Sequence, residues 1–353
     1  MFRRILGVPL AFGLAVLAGA VTAQPAFVAP MDVPAPASAL ALKAPLNALA
    51  VAGQRLVVAG QRGHILYSDD GQSWTQAAVP VSSDLNALAF PSPQQGWAVG
   101  HEGVILHSAD GGHSWTRQLD GPRIAELLQR QYGRPANPDD PDAARLQHEA
   151  ELAVAQGADK PLLDVWFEDD KRGYAIGAFN LILRTEDGGQ HWTPWLDRVE
   201  NPRGMHLYAM RPAAGTLFMV GEQGLVLKFD ARQQRFRALE LPYQGTLFGI
   251  VGTPEVVLVY GLRGNALRST DGGASWHKVQ TGTDAGLNTG TVLADGSIVL
   301  GSQSGELLRS TDQGASFHPL KVARAAPNFA VAAAPGAKVA LVGLGGVRLE
   351  SLQ

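Results

Sequence analysis

The sequence predicts an all-β fold, a seven-bladed β-propeller with a helical-hairpin insertion after blade 2. Three observations lead there. One phrase recurs seven times along the 353 residues, as in VAGQRGHILYSDDGQSW (58–74), VGHEGVILHSADGGHSW (99–115) and YGLRGNALRSTDGGASW (260–276). Its second turn position falls at Gly63, Gly103, Asn180, Gly224, Gly264, Gly305 and Gly346, with intervals of 40, 77, 44, 40, 41 and 41 residues. Once about 37 inserted residues are removed from the long interval, the period is about 41, the length of a four-stranded blade. The third observation is 41 glycines, a density of turns that suits many short strands.

Residues 1–23 read as a secretory signal peptide. Arg3 and Arg4 precede an uncharged apolar run from Ile5 to Val21, and Val21-Thr22-Ala23 closes it with small residues. The run is short for a membrane span, and Pro9 weakens it as a helix. Later segments fall short of the roughly 18 apolar residues a span needs, so after cleavage the chain is not itself membrane-spanning, and a periplasmic or secreted location is expected. Residues 24–37 read as a flexible Pro/Ala leader. The propeller then occupies 38–353.

Within each repeat a short apolar strand comes first, such as LNALAF (85–90). A second strand ends at the first glycine of a tight hairpin, where glycine supplies positive φ. The third strand carries Leu66, Leu106, Leu183, Leu227, Leu267, Leu308 and Leu349 three positions after the turn marker, a register expected to face the seam between blades. The S-x-D-G-G-x-S-W turn and a fourth strand follow. Its Ser/Thr and Asp side chains accept turn N–H groups, and its aromatic residue folds into the seam. Asp70, Asp110, Asp187, Asp271 and Asp312, with Trp74, Trp115, Trp192 and Trp276, are therefore read as structural. The copy at 229–236 lacks the Ser, Asp and glycines, which predicts a looser turn there. The seventh repeat ends after its third strand, and the segment Ser38–Lys43 is expected to supply the fourth and close the ring.

The long interval holds residues 119–161. DGPRIAELLQRQYG (120–133) places Ile124, Leu127, Leu128 and Gln131 on one helical face. DPDAARLQHEAELAVAQG (140–157) has Asp140 as N-cap, Pro141 at N1, and Leu146, Ala150, Ala153 and Val154 on one stripe. Strand order puts this insertion, the hairpins between second and third strands, and the entrances to the first strands on one face, called the top. The entrances carry Asn47, Asn86, Asp164, His206, Asn288 and Asn328, read first as bonding their own turns. Rigid scaffolds carry function on loops, so this face is the expected binding surface. Its candidate partner-binding residues are His101, Glu102, Asp164, His206, Glu222 and Arg263, with Arg123, Arg130 and Arg134 on the insertion. The insertion serves as rim packing, a lid over the channel or a docking arm. A basic register, His107, Arg184, Lys228, Arg268 and Arg309, reads first as long stems covering neighbouring blades.

The turns GVILHSADGGHSW (103–115) and GNALRSTDGGASW (264–276) are Asp-box, or BNR, motifs, and the repeat resembles that of the photosystem II assembly and stability factor propellers. The resemblance covers nearly all the chain after the signal except 119–161. It implies a non-catalytic protein that binds, assembles or stabilises a membrane or envelope protein complex. In bacteria without photosynthesis one implied setting is beside an RND-type exporter.

Composition and motifs narrow the classes further. With 29 Lys and Arg against 32 Asp and Glu, the net charge of −3 gives no basic face for nucleic acid. There is no cysteine, hence no disulfide, thiolate metal site or anchor cysteine. Neither a cofactor motif nor a metal-ligating motif is present. Asp boxes also occur in sialidases, so the alternative is a glycan hydrolase. That reading requires paired carboxylates in the central cleft, for which Glu102, Asp164 and Glu222 are the candidates.

Overall fold

The computed structural model describes residues 27–137, 139–157, 160–334 and 338–352; the signal peptide lies outside them. Seven antiparallel sheets follow one another in chain order, six of four strands and one of three. Blade 1 is Leu46–Ala52, Arg55–Gly60, Ile65–Ser68 and Thr75–Gln76. The innermost strands of blades 2 to 7 begin at Leu85, Leu162, Leu207, Leu247, Leu287 and Asn328. Second strands such as Gly96–Gly100 and Val257–Gly261 are buried throughout, because seams cover both their faces. Apolar seams join the blades: Trp97 of blade 2 stacks on Phe167 of blade 3, ring centroids 3.7 Å apart. The leucine register lies in these seams, with Leu106, Leu183 and Leu227 fully buried.

The glycine ruler marks where each blade meets the chain entering the next. A Cβ on Gly63 would lie 2.0 Å from Val81 O, on Gly224 2.1 Å from Tyr243 O, and on Gly264 1.8 Å from Thr283 O. The same contact closes the ring. A Cβ on Gly346 of blade 7 would lie 2.0 Å from Leu42 O. Residues Ala41–Lys43 form a 3₁₀ turn with Ala41 buried, and this turn fills the place of an inter-blade loop. The expected fourth strand from Ser38–Lys43 is therefore not formed: blade 7 has three strands, and the segment is pulled over the seam by Ala41 and Leu42 instead. Leu46, Val58 and Leu66 of blade 1 close against Val342 of blade 7 in that seam.

Two further expectations change. Of the leader expected to be flexible, residues 30–36 are docked on blades 1 and 2. Ala35 N donates to Val79 O, Ser82 N to Pro30 O, and Arg117 Nη1 to Met31 O and to Asp32, while Pro36 O bonds His64 and Gln76. Prolines remove donors, but their carbonyls still accept. The turn of blade 4 is tighter, not looser. Val226–Asp230 pairs with Arg235–Leu239 over five rungs, and Asp230 Oδ1 accepts from Arg232 N and Gln233 N. One Asp at the turn replaces the whole box.

The insertion is the expected helical hairpin, α1 (Gly121–Tyr132) and α2 (Pro141–Gln156). Asp120 caps α1 by accepting from Arg123 N, and Asp140 caps α2 by accepting from Asp142 N. Ile124, Leu128, Tyr132, Leu146, Ala150 and Ala153 are buried, whereas Val154 is 57% exposed.

Candidate functional site

Hairpin tips and inter-blade loops share the top face, and the Asp boxes share the opposite face with the turns between first and second strands. Gly111 N donating to Gln94 O and Gly188 N to Lys171 O show the latter. At five tips the residue before the marker takes positive φ although it is not glycine: Arg62, Glu102, Phe179, Gln223 and Arg263, with φ between 51° and 57°. Left-handed backbone costs a non-glycine residue about 1 kcal/mol or more, and the repeated tip geometry imposes it. The result is a ring of side chains thrust upward from a rigid frame.

His101 and Arg263 are exposed on the tips of blades 2 and 5, and Glu102 is half-buried beside His101. His206 and Glu222 come together across the entrance and tip of blade 4: His206 N donates to Glu222 Oε2 at 2.8 Å, with the ring Nδ1 3.3 Å from the same oxygen. The sequence reading passed over Phe179, which is 51% exposed and packs edge-on against His206, centroids 4.5 Å apart. Its signal was present: it is the one aromatic in a slot that holds Arg, Glu, Gln and Arg at the other four tips. An aromatic line continues from His206 through Tyr208 to Phe248 at the channel mouth.

Asp164 is not on the tip face. It stands one register deeper than Asn47 and Asn86, whose slot in blade 3 is Leu163; Asp164 matches Ala48 and Ala87. Asn328 lies one position before that slot, which Phe329 takes in blade 7, and His206 lies two before it, since Tyr208 takes it in blade 4. Three of the entrance asparagines bond the next blade rather than their own turns: Asn47 Nδ2 donates to Leu85 O, Asn86 Nδ2 to Leu162 O and Asn288 Nδ2 to Asn328 O, whereas Asn328 Nδ2 donates back to Glu306 O. Thr289 and Asp164 also bond the next blade, accepting from Val331 N and Met210 N. Asp164, 4% exposed, also takes Arg211 Nη1 at 2.6 Å. Burial opposes the charge on Arg211, but the Asp164 carboxylate outweighs it and holds the guanidinium pKa above its usual value. Burial pushes the Tyr260 hydroxyl up as well. The channel pocket of about 200 Å³ is lined by one carboxylate, Asp164. Glu102 and Glu222 do not line it, so the pair a glycosidase needs is not assembled among the described residues.

The insertion leaves and rejoins the ring at the top, but its body packs down the outer edge of blade 3 instead of on the top face. Tyr132 Oη donates to Asp197 Oδ1 at 2.6 Å, and Gln131 Nε2 to Pro194 O. None of the described insertion residues lines the channel pocket. Arg123, Arg130 and Arg134 are exposed at this rim, separate from the tip residues.

Known proteins share this architecture. The family model described as photosynthesis system II assembly factor YCF48 matches residues 45–128 and 144–244, just over half of the chain. The chain belongs to this family. It is 24% identical over 268 residues to the photosystem II stability/assembly factor HCF136 of Arabidopsis thaliana, a match spanning 65% of each chain. It is 26% identical over 118 residues to the photosystem II assembly lipoprotein Ycf48 of a Synechococcus strain, covering 32% of this chain and 35% of that one. The matches thus span less than two thirds of either relative. Among solved structures, YCF48 bound to D1 peptide superposes with a TM-score of 0.63 at 17% identity, covering 88% of this chain and 94% of that one.

In this YCF48-family chain the Asp boxes have the geometry of turn supports. Asp110 accepts from Ser108 Oγ, Ser114 N and Ser114 Oγ, and Gly112 N donates to Ser108 Oγ. Asp271 and Asp312 repeat the pattern, and Thr185 with His191 gives it at Asp187. The shortened copy keeps it at Asp70 with Ser68 and Ser73. Trp115, Trp192 and Trp276 are buried, and Trp74 is partly so. The preceding blade is stapled to these boxes: Arg55 reaches Gly111 O, Gln118 Gly188 O, Lys228 Gly272 O and Arg268 Gln313 O. The basic register is accordingly used within the ring, with Arg184 over the Trp195 ring and Arg309 on Asp295.

Burial pulls the Asp110 carboxyl up, but its Ser114 and Ser108 bonds outweigh this and lower its pKa to about 2. Its contribution is therefore complete above the unfolded value of about 4 and is lost as pH falls towards 2. Asp110→Ala is expected to lower stability by about 1 kcal/mol at pH 7, the modest figure reflecting partial solvation. The difference from wild type should shrink in urea melts below pH 3. A difference that stays constant from pH 7 to 2 contradicts this role.

Proposed function

We propose that the chain is an exported, non-catalytic propeller that binds a membrane or envelope protein through its tip face and so assists assembly or stabilisation of a complex. The observation that supports this most is the ring of strained, non-glycine tips, because backbone strain repeated on one face of a rigid scaffold holds side chains ready for contact. Membership of an assembly-factor family agrees with it, as does a relative solved with a peptide named D1. Export rests on the signal-peptide reading and on the kinship with a lipoprotein. None of the described helices is long and apolar enough to cross a membrane. An RND-type exporter is one complex of the proposed kind.

Affinity capture from detergent-solubilised membranes tests the reading. The double variant Glu222→Lys/Arg263→Glu should stay folded, melting a few degrees below wild type because Glu222 accepts from His206 N, and should capture at least tenfold less partner than wild type, the wild-type capture weakening with salt. Equal capture by both chains overturns it.

A further inference from the structure

The outer rim carries a second concave surface. A groove of about 550 Å³ runs between α1 and the Asp-box turn of blade 3. Leu119, Leu127, Trp192 and Pro194 contribute apolar walls, and Arg123 and Arg130 stand at its edge. Beyond Arg130, a shallower hollow of about 470 Å³ includes Arg134 and the exposed Val154. The volume lies within the range of well-formed binding clefts.

The charges at this rim are unbalanced. Several ring arginines are held by carboxylates: Arg55 on Asp69, Arg172 on Asp169, Arg211 on Asp164 and Arg309 on Asp295. Among the described residues Arg130 and Arg134 make no hydrogen bond or ion pair, and Arg123 reaches its carboxylate, Asp120, at 4.0 Å. Glu126 is the one acid lining either hollow. Two free guanidiniums, with Arg123 held only at long range by Asp120 and by Gln118 O at 3.5 Å, stand beside one lining carboxylate and give a local positive excess on a chain whose net charge is −3. Arginine presents a planar fork that suits carboxylates, and an apolar floor beside it gives affinity that charge alone does not.

We propose that this groove docks an acidic, apolar segment of the protein partner, with an aliphatic or aromatic side chain on Leu127 and Trp192 and carboxylates on Arg123 and Arg130. The two arginines are seven residues apart on α1, roughly 10 Å along the helix axis, between the spans of about 7 and 13 Å that carboxylates two and four residues apart make on one face of an extended segment, and the long arginine side chains cover the difference. The proposal rests on the partner-binding reading but concerns a different face, so the two fail separately.

The test uses the full chain and three fluorescein-labelled twelve-residue peptides, of alternating Glu and Leu, Glu and Ser, and Lys and Leu, read by fluorescence anisotropy. The Glu/Leu peptide should bind wild type and Arg263→Glu alike. It should bind Arg123→Glu/Arg130→Glu at least tenfold more weakly, and Leu127→Asp more weakly too. The Glu/Ser and Lys/Leu peptides should bind wild type weakly. Arg123 and Arg130 are exposed while Leu127 is half-buried against the core, and thermal melts of both variants establish folding. The proposal is overturned if the Glu/Leu peptide does not bind wild type, if the double reversal binds it equally, or if the Lys/Leu peptide binds as well. In membrane capture, wild-type recovery by the double reversal, alongside loss in Glu222→Lys/Arg263→Glu, also overturns the groove while the tip-face reading stands.

Discussion

Gly264→Ala is expected to destabilise the ring by roughly 3 kcal/mol or more. Two costs combine. Gly264 sits at φ +67°, where a Cβ is disfavoured, and the new methyl would lie 1.8 Å from Thr283 O, a backbone atom that cannot swing aside. The loop carrying Thr283 is also tied to this tip, since Thr281 Oγ1 donates to Gly264 O. Gly282 is the control: it too has positive φ, +78°, but nothing lies within 4 Å of its Cβ position. Gly282→Ala should cost only the backbone term, about 1–2 kcal/mol. Urea melts of the two variants separate the steric contribution from the conformational one. Equal losses would mean that the tip-to-loop contact does not hold the blades together.

The second large effect concerns ring closure. A chain beginning at Ala44 loses Ala41 and Leu42 from the seam between blades 7 and 1, the carbonyl that packs on Gly346, and the bonds that Met31 and Pro36 make to Arg117, His64 and Gln76. Its melting temperature should fall by about 5 °C or more, with the first loss of hydrogen-exchange protection in blades 7 and 1. Those are the blades left facing an uncovered seam. An unchanged melt would show that the inner strands close the ring unaided.

Much of the architecture was legible because repetition makes each signal count seven times. The marker from Gly63 to Gly346 gave the blade number, and Asp120, Asp140 and Pro141 gave the helix starts within a residue or two. What escaped depended on contacts between segments distant in sequence. Nothing local to Ser38–Lys43 distinguishes a strand from the 3₁₀ turn it forms; Gly346, some 300 residues away, decides it by leaving room for Leu42 O. Asp164 was grouped with Asn47 and Asn86 although Leu163 takes their slot, because the stretch between the inner strand's start and the tip glycine differs in length from blade to blade and only the strand pairing fixes the register. The insertion was placed on top by where it begins and ends, yet Tyr132 and Gln131 anchor it to Pro194 and Asp197 down the side. Phe179 is absent from the candidates because these were all charged or histidine side chains, a choice that excludes an aromatic ring in the same tip slot.

That placement bears on engineering as well. Ile124, Leu128 and Tyr132 belong to the same apolar cluster as Leu181 and Trp195 of blade 3, so replacing 121–159 by a linker would uncover core. Point reversals at exposed tips are the cleaner probes.

Site-specific photo-crosslinking tests the central claim most directly. A photoreactive residue is placed in the full chain at Arg263 or Leu344, both exposed on top-face tips, and at Ala274 or Gln313, both exposed on the Asp-box face. After irradiation with native membranes, the tip-face account predicts that one membrane or envelope protein is joined through positions 263 and 344 and not through 274 and 313. Crosslinking of that protein through the Asp-box positions, with none through the tips, would contradict it.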